Sequence, residues 1–165
     1  MERLWAPWRL AYVTSASSGD SGGCIFCGAL EAEPPSPLIL HRGARCFVIL
    51  NKYPYSNGHL LVVPRRHVAT LAGLDQPELV ELAALAQAAE QVLTAAYAPH
   101  GINVGINVGR AAGAGAPGHL HAHLVPRWDG DTNFMTVVAD TRVVPEELGA
   151  TAQRLRPLFE RTLAG

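Results

Sequence analysis

Three histidines, His119, His121 and His123, alternate with Leu120 and Ala122, and Leu124, Val125 and Pro126 follow them. Successive side chains of a strand point to opposite faces, so an extended segment puts all three imidazoles on one face and the apolar partners on the other. A lone histidine is ordinarily a satisfied core residue; three in register give the strand one chemical face. Two chemistries use such a face. Three imidazoles can hold a metal, although neighbours two residues apart lie about 7 Å apart at Cα and their rings must converge. Alternatively, one ring nitrogen attacks phosphorus while the other, held as a donor, fixes the tautomer.

The preceding loop favours nucleophilic chemistry. Gly109, Gly113, Gly115 and Gly118 leave residues 109–118 almost without side-chain bulk, and such a backbone can turn its amides inward around an anion. Arg110 is its single charged side chain, and the glycines match neither a P-loop nor a dinucleotide-binding pattern. They are weak evidence alone and gain meaning from the aligned histidines.

The 165 residues, 48% hydrophobic, suffice for one core and are too few for two ordinary domains. Lysine plus arginine number 13 against 14 acidic residues, so no basic field gathers a polyanion and nucleic acid is not an expected partner. No apolar run reaches signal-peptide length at the N-terminus or the roughly 20 residues of a membrane span. Three cysteines, Cys24, Cys27 and Cys46, do not read as a secreted disulfide framework. The expectation is a soluble, cytoplasmic protein with no membrane partner.

Residues 1–23 read as an arm and flexible connector, with Trp5, Trp8 and Tyr12 ready to cover the chain's own domain or a neighbouring subunit. Residues 24–165 read as the domain. Leu38–His41, Cys46–Leu50 and His59–Pro64 suggest an antiparallel meander, with the polar loop Asn51–Gly58 at a sheet end or edge. Asp75, Pro77 and Glu78 form a capping-box signature, and Leu79, Leu82, Leu85, Ala86, Ala89 and Leu93 then recur at helical spacing to about Tyr97. Gly101–Val108 alternates as a strand, Phe134–Val138 suggests another, and Pro145–Leu163 a terminal helix interrupted or bent near Pro157. The sum is an α+β domain: an antiparallel sheet packed with a long helix and a C-terminal helix.

On His119-Leu-His-Ala-His-Leu-Val125, with Asn51 and Gly58-His59-Leu-Leu-Val-Val-Pro64, the chain resembles the histidine triad (HIT) family, which acts on phosphate esters and amides of nucleotides. The resemblance runs from about Cys24 to Trp128. The aromatic arm, the Asn107–Gly115 loop and Trp128-Asp-Gly-Asp-Thr-Asn-Phe134 look most like the family's branch of bacterial diadenosine tetraphosphate phosphorylases. It implies the histidine triad fold, with His121 the nucleophile that carries the nucleotide. The backbone carbonyl of His119 would orient that ring, and His123 would meet the α-phosphate or leaving group. The resemblance further implies that Asn51 meets the ribose hydroxyls, that Leu38 and Phe47 flank adenine, and that His59 supports the catalytic face. Asn107, Gly113, Gly115 and Ala116 would surround the phosphates, and Trp128 would wall the site or stack on a base. The implied reaction converts diadenosine tetraphosphate and inorganic phosphate to ADP and ATP, with magnesium accompanying the nucleotide. The implied assembly is a homodimer through the long helix and adjoining strand, which the arm could extend to a tetramer.

One departure from the family separates the branches. Hydrolase and phosphoramidase members carry a glutamine and then a serine or threonine just before the triad strand, where this chain has Gly115 and Ala116. No hydroxyl stands there to protonate a leaving group, which weakens the phosphoramidase reading. Phosphorolysis is preferred to hydrolysis of dinucleoside polyphosphates on similarity alone. A non-catalytic nucleotide-binding interaction protein is the alternative of a different class.

Cys24-x-x-Cys27 has the spacing of half a zinc site and also of a redox pair, without a thioredoxin-type context. The resemblance implies His67 and His119 as the other two ligands of a structural zinc, since four protein ligands leave no open position. Cys46 reads as a small buried apolar residue. His41 and His100 read as surface or capping groups; Arg65, Arg66 and Arg127 could meet a polyphosphate or face solvent; Asp129 and Asp131 are candidates for a divalent cation.

Overall fold

A computed structural model describes residues 23–131 and 146–164. The aromatic arm, most of the connector, the expected strand at 134–138 and the expected helix start at Pro145 lie outside the described residues. Helix α1 (Ile25–Glu31) leads into strands β1 (Ile39–Arg42), β2 (Cys46–Leu50) and β3 (Leu60–Pro64). Helix α2 (Gln76–Tyr97), strands β4 (Gly101–Ile106) and β5 (Ala122–Arg127), and helix α3 (Leu148–Ala164) follow. The strands form one antiparallel sheet in the order β1-β2-β3-β5-β4, so the sequence yields the expected α+β architecture.

Alternation along β2 and β3 builds two apolar layers. Cys46, Val48, Leu50, Leu60 and Val62 face α2 and α3 and meet Leu82, Leu85, Ala89, Val92, Leu93, Leu155 and Phe159. Phe47, Ile49, Leu61 and Val63 face the other way and meet Phe26 of α1 and Ile39 of β1. Both faces of the central strands are therefore covered, and β2 and β3 are buried along their full length.

The start of α2 shows how sequence becomes geometry. Asp75 accepts from the Glu78 amide at 2.8 Å, and the Glu78 carboxylate accepts from the Asp75 amide at 2.9 Å. That carboxylate also takes the Arg66 guanidinium through two hydrogen bonds of 2.8 and 2.6 Å. Glu78 consequently turns inward, and Leu79, expected in the buried stripe, is 41% exposed. Small residues at Ala88 and Ala89 let the helix lie close to the sheet, and Ala98 in the left-handed region ends it.

Two expectations need correction. Of the interruption or bend expected near Pro157, the interruption is absent: helix α3 continues through the proline. The proline and Gln153, whose carbonyl loses its usual donor, are both exposed, so water can satisfy the freed group. The histidine run also begins before the ladder: β5 starts at Ala122, so only His123 of the three is a ladder residue. His119 and Leu120 are tied instead by their amides, to Ala116 O at 3.1 Å and Val68 O at 2.6 Å. The face is nevertheless as expected. Leu120, Ala122 and Leu124 join the helix-side core, and His123 sits opposite Leu61, which points to the other side.

Candidate active site

Each histidine of the run has a tautomer dictated by a partner of known polarity. A carbonyl oxygen can only accept, so His119 donates from Nε2 to Pro64 O at 2.8 Å, and its Nδ1 carries the lone pair. His121 donates from Nδ1 to the His119 carbonyl at 2.8 Å, leaving the lone pair on Nε2. His121 is buried, and burial lowers its pKa, so the neutral, nucleophilic form prevails.

His123 takes its tautomer through His59. The Tyr55 amide, which can only donate, meets His59 Nδ1 at 3.1 Å, and the Asn51 amide nitrogen lies 3.3 Å from the same atom. His59 must therefore carry its proton on Nε2 and donate it to His123 Nδ1 at 2.9 Å. His123 in turn holds its proton on Nε2, a buried atom without a hydrogen-bond partner among the described residues. Burial, with His121 adding to it, pushes the His123 pKa down to about 4. The site thus places a free imidazole lone pair and a neutral N–H donor on adjacent rings whose centroids are 4.9 Å apart.

Placement of His59 starts one residue earlier. Gly58 adopts φ +73°, and a Cβ there would lie 2.9 Å from Tyr97 and 3.1 Å from Leu93. Glycine lets the loop close onto α2 while delivering His59 to the start of β3. Tyr97 is held from the far side by Glu146 at 2.6 Å, which also takes Thr151 and Arg154 of α3.

On the other flank of the run, Cys24, Cys27, His67 and His119 offer four ligand atoms within 4.8 Å of one another. Cys24 Sγ lies 3.2 Å from His119 Nδ1, and Cys27 Sγ lies 3.4 Å from His67 Nδ1. These separations suit two thiolates and two imidazoles around one tetrahedral ion, and His119 presents its lone pair with its other nitrogen anchored on Pro64 O. The residues expected as ligands are thereby brought together, and the group could hold a metal ion. Burial and the adjacent Cys24 raise the Cys27 thiol, a penalty that a dication between them reverses.

Other expected residues divide. Asn51 stands at the end of β2 beside His59, its Oδ1 accepting from the Tyr53 amide at 3.0 Å. Asn107, Gly113, Gly115 and Ala116 lie on the loop before the triad, where Gly109 and Gly113 take φ of +83° and +89°. Ala116 packs against the layer of Phe26, and the space a Gly113 Cβ would occupy is 3.9 Å from the Asn107 side chain. Leu38 is half-buried, but Phe47 is 0% exposed, so its ring offers no free face to a base. Trp128 follows the last residue of β5, roughly 23 Å of extended chain beyond His121. Asp131 is engaged by Arg127 at 2.6 and 2.8 Å, whereas the Asp129 amide donates to His100 Nδ1 at 3.0 Å and the Asp129 carboxylate stays exposed. Cys46 is fully buried, its thiol pushed up to about 12 chiefly by burial, as its apolar reading required.

Sequence reasoning missed Phe26. Its ring centroid lies 5.0 Å from that of His121 and 5.4 Å from that of His119. Its position between two candidate metal ligands was the available signal.

The HIT domain profile matches residues 31–130. The AP-4-A phosphorylase of Mycobacterium tuberculosis is 39% identical over 98% of this chain and 86% of its own length. Among solved structures, a Zn-bound histidine triad family protein from Mycobacterium smegmatis superposes with a TM-score of 0.70 at 26% identity, over 88% of this chain and 99% of the other. A histidine triad nucleotide-binding protein from Sulfolobus tokodaii gives 0.68 at 28% identity, over 84% and 93%.

Proposed function

The chain belongs to the HIT domain family, and within it we propose that it is a nucleotidyltransferase that cleaves diadenosine tetraphosphate by phosphorolysis to ADP and ATP. The observation that carries this reading is the pair of fixed tautomers: a lone pair on His121 Nε2 beside a proton on His123 Nε2. Likeness to the M. tuberculosis AP-4-A phosphorylase over nearly the whole chain supports the choice of substrate.

His121 Nε2 attacks an α-phosphorus; the new N–P bond forms as the P–O bond to the departing ATP breaks, leaving AMP on His121. The positive charge that develops on the ring is met at Nδ1–H by the His119 carbonyl. His123 Nε2–H donates a hydrogen bond to the oxygen where negative charge accumulates. ATP departs as a phosphate anion, so no full proton transfer is required, which accords with Ala116 where other branches have a hydroxyl. Inorganic phosphate then attacks the same phosphorus, the N–P bond breaks, and ADP leaves with His121 restored. Asn51 lies where it can reach the ribose, Leu38 with neighbouring apolar residues borders the base, and the 107–116 loop meets the phosphates. Trp128 contributes only if a partner subunit brings it to the site.

Zinc at Cys24, Cys27, His67 and His119 completes this reading; when bound it supplies a structural tie between α1 and the triad, and four protein donors leave it no open position. The Zn-bound M. smegmatis relative supports that choice of ion. Magnesium belongs with the substrate's polyphosphate. The domain is assigned to residues 24–165, preceded by the arm. The assembly is a homodimer through α2 and the outer edge of β4, where Val104 is 57% exposed and Val108, just beyond the strand, 43%, with a tetramer as an extension through the arm. No helix among the described residues is long and apolar enough to cross a membrane, and the thiols of the cluster suit a reducing cytoplasm.

Product analysis tests the reaction. Incubating the purified chain with diadenosine tetraphosphate should yield equal ADP and ATP only when phosphate is present. AMP plus ATP regardless of phosphate makes it a hydrolase, and nucleotide binding without turnover makes it a binding protein.

A further inference from the structure

We infer that Phe26 is a positioning residue for His121 and that the Cys24–Cys27 turn holds it in place. Phe26 is the second residue of α1 and is buried against Ile39, Phe47, Ile49, Leu61 and Val63. Its ring leans on His121 at a 46° tilt and meets His119 edge-on at 73°. His123 occupies another side of the His121 ring at 61°.

The hydrogen bond from His121 Nδ1 to the His119 carbonyl pins one atom of the imidazole and leaves the plane free to tilt about it. The Nε2 lone pair lies in that plane, so a tilt carries it off the line of attack on phosphorus. Packing by Phe26 and His123 removes the freedom that the hydrogen bond leaves. A displacement of about 1 Å in a reacting group can cost about 10²-fold in rate.

Helix α1 cannot hold Phe26 by itself. It has seven residues, too few for independent helical stability, and Cys24 at its N-cap makes no side-chain capping bond. Its anchors are the apolar layer and the cluster in which Cys24 meets His119 and Cys27 meets His67. The residues that gather the four donors therefore also set the ring that braces the nucleophile. Closing the cluster orders His121, and loosening it frees Phe26.

This inference rests on His121 being the nucleophile, but the packing itself can be read without turnover. The experiment compares the zinc-loaded full chain with its Phe26→Ala and Phe26→Leu variants by phosphorolysis kinetics and by nitrogen NMR of the His121 ring. Phe26→Ala is expected to lose about 10- to 100-fold in kcat with KM within about threefold, and its His121 ring signals should shift and broaden as the ring tilts while staying Nδ1-protonated. Phe26→Leu should recover most of the rate and the sharp wild-type signals. Wild type stripped with a chelator should show the Phe26→Ala signature. A raised KM with kcat intact, or an unchanged His121 spectrum in both Phe26→Ala and stripped protein, overturns the inference. If Phe26→Ala does not fold, Phe26→Leu and the stripped wild type decide by the same criteria. A wild type without phosphorolysis that still shows the spectral change contradicts the proposed reaction and leaves the bracing of His121 standing.

Discussion

His121 donates its Nδ1 proton to the carbonyl oxygen of His119 across 2.8 Å, and this one bond decides which nitrogen of the central histidine is free to attack. The same residue whose backbone orients His121 offers its own side chain to the cysteine cluster. The proposed catalytic half of the site and the candidate metal cluster therefore share His119.

The His59–His123 pair makes the first prediction. His123→Ala removes the Nε2–H donor and should lower kcat by about 10²–10³-fold, the usual cost of losing one such donor to a developing anion. His59→Phe leaves His123 in place but without a partner fixing its tautomer, and should lose less. Equal losses in the two variants would contradict the assignment of the donor to His123; steady-state kinetics on diadenosine tetraphosphate supplies the comparison.

Leaving-group chemistry makes the second. Because no hydroxyl stands at Ala116, alkyl phosphoramidates of AMP, whose amines must depart protonated, should turn over at least about 100-fold more slowly than diadenosine tetraphosphate. Comparable kcat/KM for both substrates would mean that a proton donor has been overlooked.

Metal removal gives the third. The purified chain should carry one zinc, and Cys24→Ser should lose it and lower the Tm by about 10 °C or more, since such an ion contributes folding free energy. A chain that is metal-free and equally stable with and without chelator would remove zinc from the account.

Much of this was legible in the sequence for identifiable reasons. The capping box at Asp75 and Glu78 and the alternation at residues 119–125 are local signals, and the helix start and the triad face follow from them. The cluster of Cys24, Cys27, His67 and His119 joins residues up to 95 positions apart, so spacing gave half of it and resemblance the rest. Phe47 shows the limit: its burial between layers is set by tertiary packing, which no local pattern encodes. Leu79 fits the helical period but loses the core to Glu78, because Arg66 satisfies the charge there.

Acid titration gives the fourth prediction, through Glu78. Its hydrogen bonds from Arg66 and then from the Asp75 amide hold its pKa at about 2, below the ordinary 4.5. A carboxylate with a depressed folded pKa contributes full stability above its unfolded pKa and loses it as pH falls toward the folded value. Glu78→Gln should therefore destabilise the chain most at neutral pH, with the gap to wild type narrowing between about pH 4.5 and 2 in urea unfolding. A gap that stays constant across that range would deny the carboxylate this role. Comparing the two proteins at each pH cancels any loss of the proposed zinc that acid causes in both.

The central claim is that His121 carries the nucleotide. The direct measurement is mass analysis of protein mixed with diadenosine tetraphosphate in the absence of phosphate and rapidly quenched in alkali, followed by peptide mapping. The account predicts an added AMP on the peptide containing His121, discharged to ADP when phosphate is supplied, and neither adduct nor turnover in His121→Ala. Near-normal turnover by His121→Ala, or an adduct mapped to another residue, would contradict it.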